Sequence, residues 1–211
     1  MIIFQRLATF EGPPEEVGPW ALEITEAVNK RTQLNAALWQ GLFGVPVGTL
    51  GWSALVENLT ALEAATDSLA SDAGYLSLVA KARGWSRTPP EDSLLRVVHT
   101  AGGDYVRPGV GAYSEGTSAV PVLGKLPEAG AFGVEISDLH SQLTHSSVLF
   151  CTSEYAGFGE MRWQSMYDSA AAVDAAAELI AKDEEYGAKV VAAGDLFVDG
   201  LARRILARRI A

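Results

Sequence analysis

Apolar residues recur along the chain first with strand-like and then with helical spacing. Residues 2–10 (IIFQRLATF) are rich in β-formers, and the following Glu11-Gly-Pro-Pro is a turn whose prolines suit the opening of a helix. Val17, Trp20, Ala21, Ile24, Ala27 and Val28 then fall three and four apart, which predicts an amphipathic helix over 14–32. Residues 34–43 and 49–57 read as strands joined by the hairpin-like Gly44-Val-Pro-Val-Gly48. Thr60 as N-cap with Glu63 makes a capping box for a helix to Leu69, and Asp72 can cap a further short helix through Ala82. Residues 93–100 (SLLRVVHT) read as a last strand. The predicted order is βαββα(α)β.

The pattern then returns. With Gly48 and Trp52 set over Gly159 and Trp163, the ungapped match continues through Ala61/Ala172, Ala65/Ala176, Asp72/Asp183, Tyr75/Tyr186 and Val79/Val190. Alanine-rich segments match often by chance, but chance does not place Trp and Tyr at one shared spacing. Backwards, Leu38-Trp39 lies over Leu149-Phe150, and one residue of slippage sets Leu22-Glu-Ile-Thr-Glu26 over Val134-Glu-Ile-Ser-Asp138. The chain therefore reads as two copies of one unit, residues 1–100 and 113–211. The Gly- and Pro-containing segment 101–112 is the linker. In the second copy 113–122 is the first strand and 203–210 the closing one. The closing strand carries arginine pairs on either side of Ile205-Leu206.

A βαββαβ unit of this length is the ferredoxin-like plan, an antiparallel sheet with helices on one face and the other face bare. Each copy has a strand bearing Trp, then an acid- and Ala-rich helix closed by Asp-x-x-Tyr (Trp52…Asp72-Ala-Gly-Tyr75 and Trp163…Asp183-Glu-Glu-Tyr186). This resembles the NIPSNAP-like and antibiotic-biosynthesis-monooxygenase-like members of the dimeric α+β-barrel superfamily. The resemblance implies an α+β fold in which the two sheets of tandem ferredoxin-like repeats pack into one barrel within the chain. That superfamily carries out oxygenation, cyclisation, isomerisation, haem degradation and simple binding. It implies no active site here, because Gly51 and Arg162 stand where the commonest pattern has a His beside the strand Trp.

Composition narrows the partners. With 48% apolar and 20% charged residues the chain can bury a core. A net charge of −10 argues against a nucleic-acid partner, since phosphates are held by Lys and Arg. No run of 18 apolar residues and no basic-then-apolar start occur, so the expectation is a cytoplasmic protein without membrane contact. Cys151 stands alone and reads as a small buried hydrophobe.

Candidate chemistry is sparse. Trp39 and Trp52 are aromatics on central strands, suited either to the core or to the wall of a pocket for a flat apolar ligand. His99 ends a strand two residues after Val97, on the same expected side, where an acid, base or haem ligand could stand. The spacing of His140 and His145 does not stack them on one helix face, so no metal pair is expected. Differences between the copies point to a second polar group: Arg162 for Gly51, Glu154 for Phe43, Tyr155 for Gly44. An Arg in a partly apolar cleft suits a carboxylate or enolate oxygen. The expected catalytic set is therefore His99, Arg162 and Glu154, with Trp39, Trp52 and Tyr155 against the substrate. The expected reaction is of oxygenase, cyclase or isomerase type on an apolar or aromatic small molecule; the other reading is a non-catalytic binding protein. No motif calls for a cofactor, although the resemblance admits haem. Exposed edges or helices leave room for a homodimer. Alternation sends the neighbours Arg162 and Trp163 to opposite faces, and the bulkier, apolar Trp163 suits packing under the Ala-rich helix, which leaves Arg162 inside.

Overall fold

In the computed structural model, which describes residues 1–211, the first half runs β1 (Ile2–Thr9), α1 (Pro14–Arg31), β2 (Ala37–Phe43), β3 (Thr49–Val56), α2 (Leu59–Ala70), α3 (Ala73–Ala82) and β4 (Glu91–Ala101). The second runs β5 (Tyr113–Ala119), α4 (Leu126–Thr144), β6 (Ser147–Tyr155), β7 (Met161–Tyr167), α5 (Ala170–Lys182), α6 (Glu184–Ala192) and β8 (Arg203–Arg209). The fold is α+β, and the eight strands close into one antiparallel barrel in the order β1-β3-β2-β8-β5-β7-β6-β4. Each half supplies four strands in ferredoxin-like order, and the two sheets join edge to edge through β2–β8 and β4–β6. No helix is long and apolar enough to cross a membrane.

Local chemistry explains where the helices begin. Pro14 occupies the first turn of α1 with Glu15 and Glu16, and Lys30 and Arg31 close it, complementing the helix dipole at both ends. Asp72 and Asp183 cap α3 and α6 by accepting from the backbone N–H of Tyr75 and Tyr186 at 2.6 and 2.7 Å. α2 departs from the sequence expectation. Its cap is Asn58, which accepts from Ala61 N–H, and Thr60 lies inside the first turn. β3 ends at Val56, so the helix starts as soon as the chain has turned. Ser169 caps α5 in the same manner through Ala172.

Registers show which residues correspond. Trp52 stands opposite Arg6 and Leu38; Trp163 stands opposite Thr117 and Phe150. Thr25 Oγ1 donates to the Ala21 carbonyl, and Ser137 Oγ donates to that of Gly133. On the second strand of each half, therefore, Phe150 takes the place of Leu38, and Cys151 that of Trp39. The ungapped sequence match errs there by one residue, because the slippage seen along the first helix persists until the β6–β7 turn.

Candidate functional site

Alternation along the strands divides the barrel wall into two faces. Leu50, Trp52 and Leu38 point outwards and pack with Trp20, Ala21 and Ile24 of α1. Phe150 and Trp163 do the same beneath α4, stacked at 5.3 Å between ring centroids, with the Trp163 indole donating to the Gly133 carbonyl. Trp163 thus lies on the helical side, under α4 rather than the Ala-rich α5. The inward residues of β1, β4 and β6 (Ile3, Leu95, Leu149 and Cys151) meet in a packed cluster that fills one side of the interior. Burial pushes the Cys151 thiol up to about 12, so it is a neutral packing group.

The other side of the interior is hollow. A cavity of about 700 Å³ is bordered by Gln5, Leu7, Trp39, Ser53, Arg162 and Gln164 along its middle. An eight-stranded barrel is just wide enough to hold one small ligand, and here glycines enlarge the space. Gly51 faces inwards opposite Trp39, and Gly116 faces inwards opposite Ile205. The nearest atoms to a Cβ on either belong to side chains, Leu7 at 3.0 Å and Ile205 at 3.1 Å. What these two glycines supply is room.

Arg162 is the central polar group. Its Nε donates to Glu160 Oε1 at 2.9 Å, Nη2 to Glu160 Oε2 at 3.3 Å, and Nη1 to Gln5 Oε1 at 3.0 Å. The guanidinium is thereby oriented by a forked pair, with two of its five N–H bonds left over. Trp39, 8% exposed, is fixed by an indole hydrogen bond of 2.8 Å to Ser53 Oγ. Arg162 and Trp39 therefore present a donor and a flat apolar wall to the same cavity.

The remaining candidates lie elsewhere. Trp52 borders the cavity, but its indole is engaged on the helical side, donating to Thr25 Oγ1 at 2.8 Å. His99 also turns outwards. A β-bulge in β4 leaves Val98 unpaired between Val97, opposite Cys151, and His99, opposite Phe150. The extra residue reverses the expected side, and His99 bonds Asp138 of α4 at 2.7 Å. Glu154 points outwards into an ion pair with Arg96, and Tyr155 is 62% exposed at the end of β6. Neither borders the cavity. The counterpart of Trp39 on β6 is the inward Cys151, one residue beyond the Phe150 that the ungapped match sets there.

Sequence reasoning missed Gln5, Glu160 and the linker residues Tyr105 and Arg107, all of which border the cavity. Gln5 carried a signal, being a polar residue on the inward alternation of an apolar strand. No imidazole borders the cavity: His99 is held by Asp138, His140 hydrogen-bonds Tyr167 at 2.9 Å, and His145 ends α4. These residues do not fit a histidine-ligated haem in the barrel.

No protein-family profile and no curated protein matches the sequence. Solved structures do. A candidate monooxygenase of Fusobacterium nucleatum superposes with a TM-score of 0.73 at 9% identity, covering 100% of this chain and 92% of that one. An anthrone oxidase-like protein gives 0.71 at 15% identity, covering 100% and 91%. A candidate monooxygenase of Lactobacillus acidophilus gives 0.65 at 11%, covering 99% and 93%. The fold is shared from end to end. At these identities the likeness extends to architecture alone.

Proposed function

We propose that the protein is an enzyme of oxygenase type acting on an apolar or aromatic small molecule held inside the barrel, without a bound cofactor. The observation that carries this reading is the juxtaposition of Trp39 and Arg162 on one cavity of about 700 Å³. The indole stacks on a flat substrate, and the guanidinium, held by Glu160 and Gln5, stabilises negative charge developing on a substrate oxygen. Such charge develops when a C–H conjugated with a carbonyl is deprotonated; the enolate carbon then bonds dioxygen, the peroxide takes up the proton, and loss of water leaves a new carbonyl at that carbon. The likeness to an anthrone oxidase-like protein supports a polycyclic substrate. In this reading residues 1–100 and 113–211 are two copies of one unit, joined by 101–112, and the protein works in the cytoplasm as one self-contained barrel. Its family setting in this reading is that of the NIPSNAP-like and antibiotic-biosynthesis-monooxygenase-like proteins.

One observation favours the second reading, a binding protein without catalysis. Of the carboxylates bordering the cavity, Glu160 is occupied by Arg162, and only Glu91 is left to serve as a base. Dioxygen uptake with anthrone as probe separates the readings. Turnover by the wild type, reduced about 100-fold in Arg162→Ala with little change in melting temperature, supports the enzyme. Binding of anthrone without uptake supports the binding protein.

A further inference from the structure

On the reading that the cavity takes a small molecule, we infer that the end of the barrel crossed by residues 102–112 is an anion subsite. Arg107, Arg209 and Tyr105 form it, and it receives the carboxylate or sulfonate of an otherwise apolar ligand.

Topology puts the segment there. β4 and β5 are separated in the barrel by β6 and β7 on one side and by four strands on the other, so the chain between Ala101 and Tyr113 passes across the mouth. Gly102, Gly103 and Gly111, all with positive φ, provide the sharp departures from the strands. β8 fastens the crossing. Gly111 N–H donates to the Arg209 carbonyl at 2.9 Å, Arg209 N–H to the Ala112 carbonyl at 2.8 Å, and the Arg209 guanidinium to the Pro108 carbonyl. Tyr105 drops inwards onto the Ile3–Leu95–Leu149–Cys151 cluster, and both Tyr105 and Arg107 border the cavity.

Two arginines meet at this end. Arg6, Arg31, Arg87, Arg96, Arg162 and Arg204 are each in an ion pair with a carboxylate. Arg83, Arg107, Arg203, Arg208 and Arg209 have no Asp or Glu partner, and of these Arg107 and Arg209 stand together at this mouth, Arg209 with its Nε on the Ala211 carbonyl oxygen at 2.8 Å. Arg107, which borders the cavity, and Arg209 behind it give this end a local positive field. Burial and the charge of Arg107 both act against the Arg209 cation, and burial holds the Tyr105 phenol in its neutral, donating form. An anion relieves the first strain and accepts from the second.

Geometry also sets the rest of the ligand. Leu34, Leu55 and Trp39 continue the cavity inwards from this end, so an apolar body extends into the barrel. The charged head stays at the mouth, where Arg107 is exposed and desolvation is incomplete. The ligand class is an amphiphilic monoanion.

Fluorescence titration of the full chain with two probes of nearly the same shape tests this. One is 8-anilinonaphthalene-1-sulfonate; the other is the neutral N-phenyl-1-naphthylamine. The expected result is one sulfonate probe per chain, bound about tenfold or more tighter than the neutral one, a preference of the size given by one charge-assisted contact. Arg107→Gln should erase that preference while leaving the neutral probe unchanged. Arg107 makes no ion pair or side-chain hydrogen bond, so its removal spares the fold, whereas Arg209 is tied to the crossing. Gly116→Trp, which places an indole in the cavity, should weaken both probes strongly. Equal affinities in the wild type, an unaltered preference in Arg107→Gln, or both probes binding Gly116→Trp as tightly as the wild type would overturn the subsite. Failure of both probes to bind the wild type would overturn the small-molecule reading itself, and the subsite with it.

Discussion

In the first half of the molecule α1 is secured to the barrel by rings. Phe10, Trp20, Trp52 and Trp85 meet edge-on at 5.1–6.3 Å between centroids, in and against a buried apolar cluster of ten residues. In the second half Phe132, Trp163 and Phe197 meet in the same way at 5.9–6.4 Å under α4, but further along that helix the layer is partly polar. His140 of α4 lies between Tyr167 and Ser165, Tyr186 approaches its ring, and Arg204 pairs with Glu115 at 2.7 Å nearby. The positions correspond, since Val28 and Val56 stand where His140 and Tyr167 do. One scaffold therefore tolerates two ways of filling the space between sheet and helix, provided that each buried polar atom finds a partner.

Sizes are exchanged in the same way. Under α1, Ala21 faces Leu38; under α4, Gly133 faces the larger Phe150, whose ring occupies the space of any Cβ at Gly133. Inside the barrel Trp39 stands opposite Gly51, and their counterparts are Cys151 and Arg162. Each pair keeps its volume, the first by shifting bulk from helix to strand and the second by shifting it from one strand to the next. In the barrel that exchange leaves the cavity with an aromatic wall on one side and a guanidinium on the other.

The largest expected effect comes from the feature that the halves share. Trp52→Ala and Trp163→Ala should each lower stability by about 3–5 kcal/mol in chemical denaturation. A much smaller loss at one of them would show that the two layers are not equivalent supports. Next comes the size exchange. Gly133→Ala should cost about 1–3 kcal/mol through overlap with Phe150, and Gly133→Ala combined with Phe150→Leu should recover most of it by restoring the Ala21–Leu38 pairing. Absence of recovery would break the correspondence.

The smallest effect is in pH dependence. Burial holds His140 below the ordinary histidine value; Glu115 raises it and Arg204 lowers it by weaker influences, and the other groups facing it are Tyr167, Ser165 and Tyr186. The unfolded chain thus takes up the proton more readily. Stability is full above a pH of about 6.5, falls as the pH drops through that value by at most about 1.4 kcal/mol per unit, and levels off below the folded pKa. His140→Val, which copies the first half, should flatten that slope in denaturation measured from about pH 8 to 5.5.

Much of the fold was legible because it is written in local terms. Alternation in IIFQRLATF, the threefold and fourfold spacing up to Val28 and the Asp72 and Asp183 caps all act within a few residues. That Arg162 and Trp163 take opposite sides followed from strand alternation, and which side each takes followed from the bulk and apolarity of the indole. His99 was misread because a β-bulge, an irregularity of pairing with β6, reverses its side without any mark in SLLRVVHT. The cavity borders at Tyr105 and Arg107 were hidden for a related reason. A linker reads as a spacer until the strand order shows what it must cross.

Closure of the barrel through β2–β8 has a consequence for synthesis of the chain. Trp39 pairs with Arg209, so the seam of the first sheet stays open until the chain has been made as far as β8. Until then β2 is a free edge, as β4 is until β6 emerges, beside an apolar face bearing Ile3, Leu7 and Leu95, the kind of surface that recruits strands from neighbouring chains. Contacts so distant in sequence also form slowly. On the ribosome, the nascent first half is therefore the form of this protein most in need of a chaperone, and completion of β8 ends that need.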